Sequence, residues 1–177
     1  MIISVEKAKE ILTDFKGWSD ERISRKLKAI EQTIRAYTNN NFQIRAERKT
    51  ADIVGGFFAV EGTVPFLVGD TVQISESDKN GGLFTVSGVN DSTFTVAEDI
   101  KDEKAVLVTL VKYPSDVVEC ALNLLEWEIN NRAKVGIQSE TLSRHSVTYF
   151  AQDANNQVMG YPASLLGCLK AYRKARC

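Results

Sequence analysis

Few residues in this chain could do chemistry, and their spacing does not favour it. There is one histidine, His145. A Ser-His-Asp or Cys-His arrangement would need that imidazole as its base. His145 lies in the polar run IQSETLSRHSVTYF between Arg144 and Ser146, and the run reads as an exposed hairpin. A surface residue is the expectation there, not a base. The three cysteines, Cys120, Cys168 and Cys177, are odd in number, and no two have C-x-x-C spacing. Cys120 and Cys168 fall among apolar neighbours in helical text and read as small buried hydrophobes, whereas Cys177 reads as an exposed thiol. A metal centre wants several His, Cys, Asp or Glu residues at ligand spacing, and none is expected here. Asp52, Asp70, Asp78, Asp91, Asp99 and Asp102 are scattered over turns and loops without a calcium-loop pattern. Glu126 and Glu128 leave different sides of a helix, so they do not form an acid/base pair. No glycine run has the spacing that cradles a phosphate. The expectation is no catalytic residue, no cofactor and no metal.

The composition is that of an ordinary folded protein. Its 177 residues are 44% hydrophobic and 25% charged, with a formal net charge of -1. That argues against disorder and gives no global field to draw the chain to nucleic acid or membrane. No apolar run is long enough to span a bilayer. The start, MIISVEKAKEIL, lacks the basic head, long apolar stretch and cleavage site of a signal peptide. An intracellular protein is the default expectation.

Two helices open the text. Val5, Ala8, Ile11, Leu12 and Phe15 recur at helical spacing after Ser4 as N-cap, with Lys16-Gly17 as the stop. A second helix starts at Ser19, with Asp20 and Glu21 where the helix dipole favours negative charge. It carries the stripe Ile23, Leu27, Ile30, Ile34 and Tyr37, and Arg22, Arg25, Lys26 and Lys28 on the other side. The link is short, so an antiparallel hairpin is expected. The helical period then stops at Phe42. Turn signals at Gly55-Gly56, Gly69-Asp70, Asn80-Gly81-Gly82 and Asn90-Asp91-Ser92 separate the β-rich runs 71–74, 84–86, 94–96 and 106–110. Short strands at that spacing predict a small antiparallel barrel or sandwich, similar to SH3-like or OB-like barrels. Phe57, Phe58, Phe66, Phe84 and Phe94 are expected to face its core.

Helical text returns at Pro114. Val117, Val118, Ala121, Leu122, Leu124, Leu125 and Ile129 form an apolar surface wider than one stripe, which marks a central helix. Trp127 is either a core residue or an interface anchor. A final helix starting at Pro162 is expected to dock through Leu165, Leu166, Leu169 and Tyr172. Between these helices the alternating polar hairpin cannot build a core of its own and needs a partner surface, which points to an assembly protein. The helical stretches are individually too small for a sound core. The predicted architecture is therefore α+β: a helical-hairpin bundle built from both chain ends (1–42 and 113–177), with a β-barrel inserted at 43–112 and a protruding β-hairpin.

The opening hairpin (VEKAKEILTDF, then WSDERISRKLKAIEQTIRAYTNNNF), the helix DVVECALNLLEWEINNR, the hairpin SETLSRHSVTY and the ending GYPASLLGCLKAYRKAR resemble the head-tail connector, or adaptor, proteins of tailed bacteriophages and prophages. The resemblance covers roughly the first quarter and the last third of the chain; the long β block departs from compact family members. It implies a head-completion protein without catalytic activity. Such proteins assemble with themselves as a ring, commonly a dodecamer, below the portal protein. The ring extends the channel for packaged DNA and docks the next head-closure or tail protein. The implied location is the virion neck, and the host cytoplasm during assembly. The implied subunit or portal contacts are Trp127, Leu142, Arg144, His145, Val147, Tyr149 and Tyr161, with the basic end Lys170, Arg173, Lys174 and Arg176. The alternative class is a nucleic-acid-binding module using the barrel and the cations of the second helix. That reading needs aromatic platforms interleaved with cations.

Overall fold

The protein is described by a computed structural model over residues 1–132, 139–142, 145–148 and 156–175; for 139–142 and 145–148 the description is of backbone pairing. The chain divides into two compact units, one of Met1 with Asn41–Tyr113 and one of Ile2–Asn40 with Pro114–Cys177. The fold is α+β.

In the first unit the short strands close on themselves, which leaves no unpaired sheet edge. They are β1 (Gln43–Val54), β2 (Phe57–Val60), β3 (Thr71–Ser75), β4 (Gly82–Val89), β5 (Thr93–Val96) and β6 (Glu103–Val111). Their order is β1-β2-β5-β4-β3-β6, with β6 pairing back onto β1 and every pair antiparallel. Gly55 and Gly56 take the left-handed φ values, 56° and 86°, that a two-residue hairpin turn requires. Gly88 sits at the register shift between β4 and β5, where an added Cβ would stand 2.9 Å from Thr95 Oγ1.

Alternation fills the barrel. Ala51 and Ile53, Val72 and Ile74, and Val106 and Val108 point inward from three strands. Phe58 faces Phe94 across β2 and β5 with the rings stacked at 4.4 Å, and Phe66 meets Phe94 edge-on at 5.3 Å. Burying each such ring contributes roughly 1.5–3 kcal/mol. One of the five phenylalanines departs from the expected core-facing set. Phe84 is partly buried and packs against the core, whereas Phe57 is 53% exposed beside the Gly55-Gly56 turn, opposite the exposed Val54.

The second unit holds α1 (Val5–Ile11), α2 (Asp20–Thr38), α3 (Ser115–Asn131) and a 3-10 helix (Ala163–Tyr172). Ser4 and Ser19 cap α1 and α2 as expected, accepting from Lys7 N and Arg22 N. α1 is shorter than its apolar spacing predicts. Its C-cap is Leu12, and Ile11 is 56% exposed. Asp14 is the reason: its carboxylate accepts from Lys16 N at 2.9 Å, a local turn that competes with the helix. On α2 the stripe Ile23, Leu27, Ile30 and Ile34 is fully buried; Thr38 completes it and Tyr37 is only half-buried. α3 buries residues around much of its circumference, from Val117 to Ile129.

The final helix is 3-10, not α. Three residues per turn put positions i and i+3 on one edge. Leu166 and Leu169 are therefore the fully buried edge, with Tyr172 next along it, and Leu165 rotates off to half-exposure. The remaining strands form two small sheets. β7 (Ser139–Leu142) pairs with β8 (His145–Thr148), and β9 (Gln157–Val158) pairs with β10 (Tyr161–Pro162) around Met159 and Gly160, both at positive φ.

Candidate functional site

The most strongly built polar cluster centres on Glu128, a carboxylate 2% exposed on α3. One turn on, Arg132 donates from Nε at 3.0 Å and from a terminal nitrogen at 2.5 Å to its two oxygens. Lys26 Nζ of α2 lies 3.1 Å from Oε2, the oxygen that also accepts from Arg132 Nε, and the Tyr161 hydroxyl is a further hydrogen-bond partner. A carboxylate offers about four lone-pair sites, and these donors occupy them. Burial would raise the Glu128 carboxyl, but hydrogen bonds from Arg132, Tyr161 and Lys26 outweigh it and hold the group below its ordinary range. Burial and the Glu128 contact push the Tyr161 phenol up. Arg132 also donates to Gly160 O at 3.3 Å, and its guanidinium lies 5.1 Å from the Trp127 ring and 5.5 Å from the Tyr161 ring. Trp127 and Tyr161 meet edge to face at 5.5 Å.

This is a clasp, not an acid or base. Glu128 has no free lone pair aimed at a reacting group. What the cluster does is tie α2, α3 and the β9–β10 turn together. Its ends bracket the chain that carries β7 and β8: Arg132 stands before that segment and Gly160-Tyr161 after it. Glu126 and Glu128 leave different sides of the helix, as their spacing predicts: Glu126 is exposed and Glu128 buried. The clasp itself is not among the sequence-based expectations. The available signal was the Glu128–Arg132 spacing of i,i+4 inside an apolar stretch.

The residues singled out as contacts fall into groups. Trp127, half-buried, and Tyr161, 4% exposed, are brought together in the clasp, so Tyr161 serves the interior of its unit. Leu142 and His145 are direct partners across β7 and β8, and Val147 stands opposite Glu140. Lys170, Arg173 and Lys174 are exposed. Arg173 lies 5.2 Å over the Tyr37 ring, and Lys174 N donates to Thr38 O at 2.8 Å. Arg144, Tyr149 and Arg176 lie outside the described residues. Tyr172, at the end of the 3-10 helix, donates its hydroxyl to Asp116 at 2.7 Å, which raises its phenol pKa.

The barrel has its own polar assembly, on three loops at one end. Glu103 accepts from Ser77 Oγ and Asp78 N at 2.7 Å and from Asn80 Nδ2 at 2.8 Å. The Ser77 bond is the main cause that lowers its pKa. Asn80 also bonds Lys101 N and O, each at 2.8 Å, and Asp102 accepts from Gly55 N at 2.8 Å. These bonds fix the turns around the exposed Val54 and Phe57. An open cleft lined by Arg48, Lys49, Asp52 and Glu61 runs along β1. Its charges are of both signs. Phe58, Phe66 and Phe94 are inside the barrel and give nucleic-acid bases no stacking platform.

Among the described residues no group of three or more His, Cys, Asp or Glu is placed to hold a metal, and no helix is long and apolar enough to cross a membrane. No protein-family model and no curated protein matches the chain.

Proposed function

We propose that this chain is a head-tail connector of a tailed bacteriophage or prophage, a structural virion protein rather than an enzyme. The observation that carries the reading is the β7–β8 pair. Two four-residue strands pair with each other in a sheet of their own. An isolated two-stranded hairpin is marginally stable in water at best, so it acts by lying against another surface. The Glu128 clasp supports the reading further, because it secures the chain on both sides of that hairpin.

In this proposal the helices from both chain ends form one helical-hairpin bundle, the SH3- or OB-like barrel is an insertion, and β7–β8 protrudes. The chain forms a ring with itself, below the portal protein, around the path of packaged DNA, and presents a face to the next head-closure or tail protein. Ring contacts are heterologous, so one face of a subunit meets a different face of the next. Leu142 on the hairpin is the contact residue of choice, and Lys170, Arg173 and Lys174 form the end that reaches the portal.

The test is electron microscopy of the protein mixed with its cognate portal. Ring density on the portal, with residues 139–148 against a neighbouring subunit, is the expected result. Leu142→Glu should block assembly while the circular dichroism melt stays cooperative. A protein that remains monomeric beside the portal, or an L142E variant that assembles normally, counts against the reading. Tight DNA binding that weakens steeply with salt would favour a nucleic-acid module instead.

A further inference from the structure

The helical unit holds a pair of thiols that the connector reading does not use. Cys120 is on α3 and buried; Cys168 is on the 3-10 helix and exposed. Their side chains converge on one acceptor, the Leu165 carbonyl oxygen, which lies 3.3 Å from Cys120 Sγ and 3.5 Å from Cys168 Sγ. The 3-10 geometry produces this convergence. With three residues per turn, Cys168 stands one turn above Leu165, on its own edge of the helix. That edge is turned away from the buried Leu166–Leu169 edge, which leaves Cys168 open to solvent while Cys120 packs beneath. Burial first, and then the hydrogen bond to the neighbouring Cys168 thiol, push the Cys120 thiol up.

We infer that Cys120 and Cys168 are a redox couple, with an exposed attacking thiol and a buried resolving thiol that close into a disulfide between α3 and the 3-10 helix. The oxidant is a small-molecule disulfide. Cys168 loses its proton to solvent, and the thiolate attacks one sulfur of the small disulfide and expels the other half as a thiol. Cys120 then loses its proton and attacks Cys168 Sγ, which expels the second half. Two protein S–H bonds are lost, one S–S bond forms, and one small disulfide is reduced to two thiols. The raised Cys120 thiol does not initiate, because the thiolate is the nucleophile and burial disfavours it. It serves as the resolving group, where proximity compensates for a small thiolate fraction. The closed loop would contain both the Glu128–Arg132 clasp and the β7–β8 hairpin. In a reducing compartment the pair stays a dithiol; in oxidising surroundings it locks. The inference stands independently of the connector reading.

The experiment uses the full chain with Cys177→Ser, so that only the two thiols of interest remain. The protein is incubated with oxidised glutathione and its intact mass is measured without reductant. The expected product has lost two hydrogens, keeps no glutathione, and gives a cross-linked peptide pair joining Cys120 to Cys168. Adding Cys120→Ser should instead trap one glutathione on Cys168. Adding Cys168→Ser should slow all reaction on the order of tenfold or more. The oxidised protein should melt about 5–10 °C above the reduced form, because the cross-link restricts the unfolded chain. A stable glutathione adduct on Cys168 beside a free Cys120 in the protein with both thiols would overturn the inference. So would a disulfide form that melts at or below the reduced form, since the native geometry would then not accommodate the bond.

Discussion

The two units solve the same problem with different materials. The barrel is one continuous stretch, Asn41–Tyr113 with Met1, and its interior is apolar: stacked and edge-on phenylalanines ringed by valine and isoleucine. Its densest polar bonding is in the loops around Glu103 and Asn80, with further pairs such as Arg48–Thr109 and Gln43–Gln73 between strands. The helical unit is drawn from two separated stretches and, among its described residues, buries the carboxylates of Glu31 and Glu128. Glu128 is held by residues far apart in the chain, Lys26, Arg132 and Tyr161. Burying a charge costs free energy unless it is paired and hydrogen-bonded. Such a clasp therefore adds less net stability than an apolar core of the same volume. What it adds is geometry, since donors in fixed directions allow fewer arrangements than methyl groups. The contrast separates a core that supplies stability from one that also fixes how its pieces meet.

The comparison can be broken most directly in the barrel. Phe94→Ala removes the ring that both Phe58 and Phe66 touch and should cost about 3–5 kcal/mol. Hydrogen exchange should show protection lost first in residues 41–113. Equal, simultaneous loss in residues 20–38 would mean that the two units share one cooperative transition and the contrast is wrong. A smaller effect is expected in the clasp. Arg132→Ala leaves Glu128 with fewer donors in a buried position, and should cost about 2 kcal/mol after discounting for the exposure of the arginine. Arg132→Lys keeps the charge but not the bidentate fork or the ring contacts, and should fall between wild type and alanine. If Arg132→Ala melts like wild type, the clasp is ornamental.

The smallest expected effect comes from pH. The folded Glu128 carboxyl is held below its ordinary value of 4.5 by its donors, net of opposing burial. A group depressed in the folded state contributes stability above its unfolded pKa and loses it as pH falls through the folded value. Stability of the helical unit should therefore be flat above about pH 5 and decline below pH 4.5. Glu128→Gln, read by urea melts across that range, should flatten the decline. An unchanged acid slope in that variant would move the effect to other carboxylates, such as Glu103 in the barrel.

Much of the barrel was legible because turns and alternation are local signals. Gly55-Gly56, Gly69-Asp70 and Asn80-Gly81 fall between strands, Gly82 opens β4, and the runs 71–74, 84–86, 94–96 and 106–110 all lie within observed strands. The longest strand, β1, was not legible. Its first half carries Arg45, Glu47, Arg48 and Lys49, and the register shift between Ile44 and Arg48 breaks the two-residue period that would have revealed it. The α2 and α3 helices were readable from their stripes and starts. The type of the final helix was not: Leu165, Leu166, Leu169 and Tyr172 suit an α-helical face, and the helix has three residues per turn instead. The clasp was half-written in the sequence, as Glu128 and Arg132. Lys26 and Tyr161 join it only through the tertiary fold, and so does the meeting of Cys120 with Cys168.

One feature at the end of α2 bears on how the protein is made. Asn39 closes that helix in the left-handed conformation, and the chain that completes the closure arrives much later in the sequence. Lys174 N donates to Thr38 O, Asn39 Nδ2 to Ala175 O, and Asn40 Nδ2 to Tyr172 O. On the ribosome the barrel can close once Val111 has emerged. The stripe Ile23, Leu27, Ile30 and Ile34 must wait through the synthesis of α3 and everything after it. For those seconds the barrel is finished while α2 is an unfinished, sticky helix, and any chaperone that helps this protein should be found on α2.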